Sequence, residues 1–300
     1  MTVTLSKIGE FALIERFRKS IKTDNSVIKG SGDDCAVLSF DKNNYLLFTC
    51  DMLVEGVDFT AKDDPYLVGR KSIAVSLSDI AACAGIPRYC VISLGLPKNT
   101  ALKFAGSLFK GMLDIARKYK VNIVGGDLSR ADKVIIDVSM LGRVEKNRLV
   151  LRSGAKQGDI IFVSGGLGGS IRSKHLKFIP RLKEARFLAE NFKLNSMIDV
   201  SDGLAQDLAH ILKQSKAGAA IYQDLIPLSS DARNLKDALC SGEDFELLFT
   251  LSRKEAKRLL AKDKGRFIAI GSIMPQKYGL RLIDGKGREK KISPRGFSHF

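Results

Sequence analysis

Tryptophan is missing from this chain, and histidine is scarce, with His175, His210 and His299 far apart. That excludes a histidine-rich metal centre, so a metal here would be a hard cation held by oxygen. The five cysteines, Cys35, Cys50, Cys83, Cys90 and Cys240, form no CxxC pair. An odd count at irregular spacing argues against a disulfide framework or a structural zinc site. Long apolar runs are missing too. The longest stretch free of Asp, Glu, Lys and Arg covers residues 160–171 and is rich in glycine, whereas a membrane-spanning helix takes about 20 apolar residues. The opening MTVTLSKIGEFALIERF has no basic-then-apolar leader, and the expectation is a cytoplasmic protein with no membrane contact. GxxxxGK[ST], GxGxxG and the kinase HRD and DFG motifs are all absent, which excludes P-loop, dinucleotide-binding and protein-kinase architectures.

What the chain does have is positive charge, +16 over 300 residues. The excess is spread over RSKHLKFIPRLKEAR, RKEAKRLLAKDKGR and KGREKKISPR, which read as solvated faces of surface helices and loops. No aromatic and basic RNA-binding signature accompanies them, so nucleic acid is not an expected partner. A basic nucleic-acid-binding protein remains the rival from another class, and it predicts affinity that falls steeply with salt. At 45% hydrophobic and 27% charged residues the chain has the make-up of a globular protein, and its length suggests roughly two domains. The pattern predicts a short N-terminal helix over 8–20 and strands in CAVLSF and NYLLFTC. A helix follows from Asp64-Pro65 to about Ala84, then a strand in RYCVISLGLP, a helix over 101–119, a short strand VNIV ending in Gly-Gly-Asp, and a strand over 134–144. After a connector the alternation restarts at DIIFVS and continues to RFIAIGSI. The fold class is α/β and α+β in two domains, 1–145 and 146–300.

The aspartates stand in unusual places. Asp33 and Asp34 lie in GSGDDCAVL, Asp51 ends NYLLFTCD, Asp79 interrupts KSIAVSLSDIAACAGI, Asp127 ends VNIVGGD, and Asp199 and Asp202 bracket a serine in MIDVSDGLAQDLAHIL. Asp79 is the sharpest case, because its helix is apolar on most of its circumference. An unpaired buried carboxylate costs several kcal/mol, roughly 2–7 on polar-transfer scales. A salt bridge to Lys71 or Arg70 would account for it alone, and a helix N-cap would account for Asp202. Six acids at strand and helix edges fit Mg²⁺ better, since it takes carboxylates from several segments together with phosphate oxygens. GGLGGS offers backbone N–H groups to a phosphate or is a plain flexible loop, and SGEDFELLFTL presents Glu243 and Asp244 at the edge of an apolar strand.

In order, GEFALIERF, GSGDDCAVL, TCDMLVEGVDF, KSIAVSLSDIAACAG, VGGD, LRSGAKQGD, IDVSDGL, SGEDFELLF and GFSHF resemble the thiamine-monophosphate kinase family across almost the whole chain. That family shares a superfamily with aminoimidazole-ribonucleotide synthetase, selenophosphate synthetase and a hydrogenase maturation factor. The resemblance implies an N-terminal domain that dimerises through its sheet, a C-terminal α+β domain with ATP held between the two, and phosphorylation of thiamine monophosphate by ATP. A synthetase-like enzyme of the same superfamily is the alternative. Carried over, Asp34, Asp51, Asp79, Asp127, Asp199 and Asp202 correspond to magnesium ligands, and Thr49 and Cys50 to positions facing a metal. Relatives mostly carry Ser or Thr where Cys50 stands. A thiol is a poor Mg²⁺ ligand, so contact there is expected through the backbone carbonyl. Tyr119, Gly126, Arg152 and Ser201 correspond to ATP positions, and Asp58, Glu243 and Phe297 to substrate positions. EGVDF departs from the family's EGVHF at Asp58, and GGLGGS lacks the aspartate that usually follows its glycines. The acceptor is itself a phosphate, so the resemblance implies direct transfer without a strong general base, with Asp199 and Arg152 as the catalytic residues.

Overall fold

The computed structural model describes residues 4–172, 174–263 and 265–297; His299 lies outside them. Gly9, at φ +75°, splits the expected N-terminal helix into α1 (Leu5–Ile8) and α2 (Glu10–Arg18), and neither buries a residue.

The first sheet takes β1 (Val27–Lys29), β2 (Ala36–Ser39) and β3 (Asn44–Val54). After α3 (Pro65–Ala82) come β4 (Ile86–Leu96), α4 (Leu102–Tyr119), β5 (Asn122–Arg130) and β6 (Ile135–Glu145), in the spatial order β1-β2-β3-β6-β4-β5. Only β4 and β5 pair in parallel, because α4 carries the chain back between them. The second sheet is built from β7 (Ile160–Val163), β8 (Leu194–Asp199), β9 (Ala217–Tyr222), β10 (Leu247–Leu251), β11 (Ile268–Pro275), β12 (Leu280–Ile283) and β13 (Glu289–Lys291). Its order is β13-β12-β9-β11-β7-β10-β8, with β9–β12 parallel. Between its strands run α5 (Leu182–Asn191), α6 (Leu204–Ser215), α7 (Leu235–Cys240) and α8 (Arg253–Lys262).

Two strands outrun their expected ends. β3 passes through Asp51 to Val54, and β5 passes through Gly125-Gly126-Asp127 to Arg130. Neighbouring strands supply the ladder there, and a Cβ on Gly126 would sit 1.9 Å from the Ile92 carbonyl oxygen, so glycine belongs inside this strand. β1, β12 and β13 were not expected; they are short, and β13 (EKK) is wholly exposed.

Asp64 caps α3 by accepting the Tyr66 N–H at 2.9 Å, and Pro65 fills its first turn. From Val68 to Ala82 the helix is buried on nearly every side. It lies between the first sheet and the second half of the chain, and one apolar core runs through it from Leu47, Ile136 and Met140 to Phe162, Phe245 and Phe249. A second core, with Leu208, Ile211 and Leu248, lies on the far face of the second sheet under α6 and α7. α3 and α4 touch backbone to backbone: a Cβ on Gly69 would lie 1.9 Å from the Leu108 carbonyl oxygen, and one on Gly111 1.9 Å from that of Tyr66. Gly69→Ala should therefore destabilise the protein by about 3 kcal/mol, the upper range for overpacking a filled interior. The check is a lower urea midpoint at unchanged slope. No helix among the described residues is long and apolar enough to cross a membrane.

Candidate active site

Four segments far apart in sequence meet at the C-terminal half of α3. The loop before β2 brings Asp33 and Asp34, β3 brings Thr49 and Asp51, α3 brings Ser76, Ser78 and Asp79, and the end of β8 brings Asp199. Carboxylate oxygens of Asp34, Asp79 and Asp199 lie within 4.8 Å of one another. Three of the acids are each steadied by a hydroxyl: Thr49 donates to Asp79, Ser76 to Asp51 at 2.6 Å, and Ser78 to Asp199 at 2.6 Å. Arg152, from the connector, donates its guanidinium to Asp34 at 2.8 Å and its backbone N–H to Asp33 at 3.0 Å. The two bases that might have paired with Asp79 are engaged elsewhere. Arg70 donates to the carbonyls of Leu176 and Phe178, and Lys71 bonds Glu243.

Electrostatics make the group unstable by itself. Burial, with the charges of Asp51, Asp199 and Asp34, pushes Asp79 well above the usual carboxylate range. Burial and the Asp34 charge lift Asp199 to about 8 against the pull of Ser78 and Arg152. Burial raises Asp51 to about 6, and burial together with Asp34 does the same for Asp33. Oδ2 of Asp34 is buried and accepts no hydrogen bond, which native interiors rarely allow, and Oδ2 of Asp33, equally buried, has only the Lys29 ammonium at 3.4 Å. Clustered carboxylates with orphaned oxygens, all hard donors, fit a divalent cation such as Mg²⁺.

The structure does not bring every expected residue to this point. By alternation along β3, the Cys50 thiol is on the helix-free face, 3.2 Å from Asp137, while Thr49 and Asp51 face α3. Asp127 lies exposed on the edge strand β5, in register with Ser93 and, through it, with Asp137. Gly126 shares a row with Ile92, Val138 and Asp51, with two strands between it and the acid. Tyr119, at the end of α4, is half-buried against the first core, and Arg70 and Glu184 are the charges that act on it most strongly after burial. Asp202 groups with Asp207 and His210. It does not cap α6 through its side chain; Gly203, at φ +117°, takes the cap position, and Asp207 accepts the backbone N–H of Asp202 and of Gly203.

A second cluster adjoins the first. The Glu243 N–H donates to the Ser201 carbonyl at 2.7 Å, and the Phe297 N–H to that of Asp202 at 3.0 Å. Ser201, Asp202, Glu243 and Phe297 therefore share one surface. Lys71 ties Asp58 to it by donating to the Asp58 carbonyl at 2.9 Å and to Glu243 at 2.5 Å. The Asp58 carboxylate accepts the Val54 N–H at 2.7 Å and so steadies its own turn. Nearby, an apolar cavity of about 260 Å³ is lined by Phe59, Val68, Phe104 and Val134, among others; none of the clustered carboxylates lines it.

Sequence reasoning took Lys71 only as a partner for Asp79 and missed Ser76, Ser78 and His175. The one signal for the serines was polar residues recurring inside an apolar helix; His175, in the 174–176 turn, gave none. It also left Glu246 unread, although that buried acid takes Ser164, Lys174 and two bonds from Arg181. The glycine loop is pinned in place: the Gly168 N–H and the Ser170 hydroxyl both donate to Asp244.

Two layers of helix and sheet joined by a buried helix, with carboxylates gathered where the halves meet, define the class of AIR synthase related proteins. The N-terminal domain model of that class matches residues 32–144 and its C-terminal domain model residues 156–281. Within the class, the chain belongs to the thiamine-monophosphate kinase family. It is 38% identical to the thiamine-monophosphate kinase of Buchnera aphidicola from Schizaphis graminum, over 97% of this chain and 99% of the relative. It is 34% identical to that of Bacillus subtilis, over 98% and 100%. Among solved structures it is similar to AaThiL complexed with AMPPCP and TMP, at 30% identity and a TM-score of 0.87, with both chains covered in full.

Proposed function

We propose that the protein transfers the γ-phosphoryl group of ATP to thiamine monophosphate, giving thiamine diphosphate. The observation that carries this reading is the convergence of Asp34, Asp79 and Asp199 within 4.8 Å, on a chain similar along its whole length to a structure that holds AMPPCP and TMP. Asp34, Asp51, Asp79 and Asp199 would hold Mg²⁺, with Asp127 and Asp202 assigned by the resemblance alone. Bound there, Mg²⁺ supplies charge neutralisation and alignment for the phosphates. Arg152, already aimed into the group, offsets charge on the triphosphate. Thr49, Ser76 and Ser78 fix the carboxylate orientations. Ser201 contacts ATP, and Asp58, Glu243 and Phe297 orient the acceptor, whose phosphate needs no strong base to act as nucleophile, so transfer is direct and in line.

Three further features belong to this reading. Phe48, Met52, Tyr89 and Val91 stand exposed on the helix-free face of the first sheet, and a contiguous apolar face marks an interaction surface. We read it as the contact of a homodimer. The division into domains at about residue 145, and a cytoplasmic location where ATP is available, complete the proposal. The test is thiamine diphosphate formation from ATP and thiamine monophosphate with and without Mg²⁺, with aminoimidazole precursors as the control acceptor. Product that forms equally well in excess chelator, or ATP consumption only with the control acceptor, overturns it.

A further inference from the structure

We propose that Lys71 is a positioning residue for the acceptor, acting through Glu243. This rests on the reading above that Glu243 faces thiamine monophosphate. Lys71 sits on α3 with no exposed surface at all. An ammonium in such a place is costly, and apolar replacements of buried ion pairs are often neutral or stabilising, so stability alone does not explain a lysine there. Its contacts do. Nζ donates to the Asp58 carbonyl at 2.9 Å and to Glu243 Oε2 at 2.5 Å, and lies 3.2 Å from His175 Nδ1. One charge thereby joins three segments: the 54–58 turn of the first half, the 174–176 turn, and the 242–245 segment of the second half.

The segment that carries Glu243 is strained. Glu243 and Phe245 both lie in the left-handed region, at φ +61° and +50°, which costs non-glycine residues of order 1–3 kcal/mol each. Backbone bonds hold them there, from Glu243 to Ser201 and from Phe245 to Val200. The contacts to Lys71 and His175 both use Oε2 of Glu243, and the side chain keeps 22% of its surface exposed. Lys71 and His175 hold its pKa below the usual glutamate value in spite of burial. The result is an ionised carboxylate locked by one oxygen, with the other oxygen left for a ligand. Thiamine carries a cationic thiazolium ring and an aromatic amine, and both suit that oxygen. The phosphates of ATP would be repelled by it, so the carboxylate favours the cationic end of the acceptor.

The test is steady-state kinetics on Lys71→Met, Glu243→Gln and the double variant, with thermal midpoints recorded alongside. Lys71→Met should raise KM for thiamine monophosphate at least tenfold while KM for ATP moves less than twofold. Glu243→Gln should do the same, and the double variant should be no worse than the poorer single one, because both changes remove one interaction. A purely structural role would lower the midpoint and move both KM values together, and that result overturns the proposal, as does an unchanged acceptor KM. Should Lys71→Met not fold, Lys71→Gln keeps a donor for the Asp58 carbonyl and is read the same way. A wild-type protein that makes no thiamine diphosphate defeats the acceptor reading and this proposal together. An active wild type with indifferent Lys71 variants defeats this proposal alone.

Discussion

Asp199→Asn should lower kcat by at least about 10²- to 10³-fold, the scale of removing one preorganised charged group from a reacting centre, and should leave a protein more heat-stable than the wild type in the absence of metal. Asp199 is almost fully buried, faces Asp34 and Asp79, and has its carboxyl raised to about 8. Its charge is therefore held at the expense of stability. Asparagine keeps the shape and can still bond the Ser78 hydroxyl, but it removes an ionisable carboxyl from a group that repels itself when charged. Loss of activity with a gain in thermal midpoint is the combined signature of a carboxylate kept for a ligand. Near-normal turnover, or a midpoint well below that of the wild type, would show Asp199 to be a structural residue. Asp263, whose carboxylate bonds Arg266 and the Phe267 N–H, supplies the contrast: there the loss of the acid should only destabilise.

The second large effect concerns pH and divalent cations. A carboxyl whose pKa is higher in the folded state than in the unfolded chain binds its proton more tightly when folded. For Asp199, with an ordinary value of 3.8 and a folded value of about 8, and for Asp51 and Asp33 at about 6, acid therefore relieves repulsion. This contribution to stability is present below pH 4, is lost as pH rises through about 6 and then about 8, and is absent above that. The thermal midpoint of metal-free protein should fall by about 5 °C or more between pH 6 and pH 9, the shift that about 2 kcal/mol gives a sizeable domain. With Mg²⁺ present the fall should disappear, since a cation takes the place of the protons. Metal affinity depends on deprotonated ligands, so titration calorimetry should find affinity rising by about tenfold per pH unit between pH 6 and 8, where one proton must leave, and levelling off above. A flat affinity profile with a pH-independent midpoint would mean that the acids are already satisfied within the protein.

Much of the fold was legible because it rests on local periodicity. α3 and α4 fall close to where the apolar pattern places them, and α3 opens at Asp64-Pro65 as expected. Strand ends were less legible. Asp51 and the Gly-Gly-Asp of β5 look like terminators in a linear reading, yet strand length is set by what pairs alongside. Within the site, the acids stood out because each interrupts an apolar segment. The groups that organise them did not, since Ser76, Ser78 and Thr49 are ordinary residues until the fold sets a carboxylate beside each. Lys71 was considered as a partner of Asp79, eight residues along the same helix, but its ammonium faces Glu243 instead.

What the sequence by itself determined is the set of elements and the kind of chemistry, because helix period, caps and misplaced acids are properties of neighbouring residues. Which acids meet was decided only by the tertiary structure. Asp34, Asp79 and Asp199 converge, whereas Asp127 stays on an edge strand and Asp202 joins Asp207 and His210. Distances between residues far apart in the chain follow from how α3 packs between the two halves, and that packing is a sum over many contacts with no local signature.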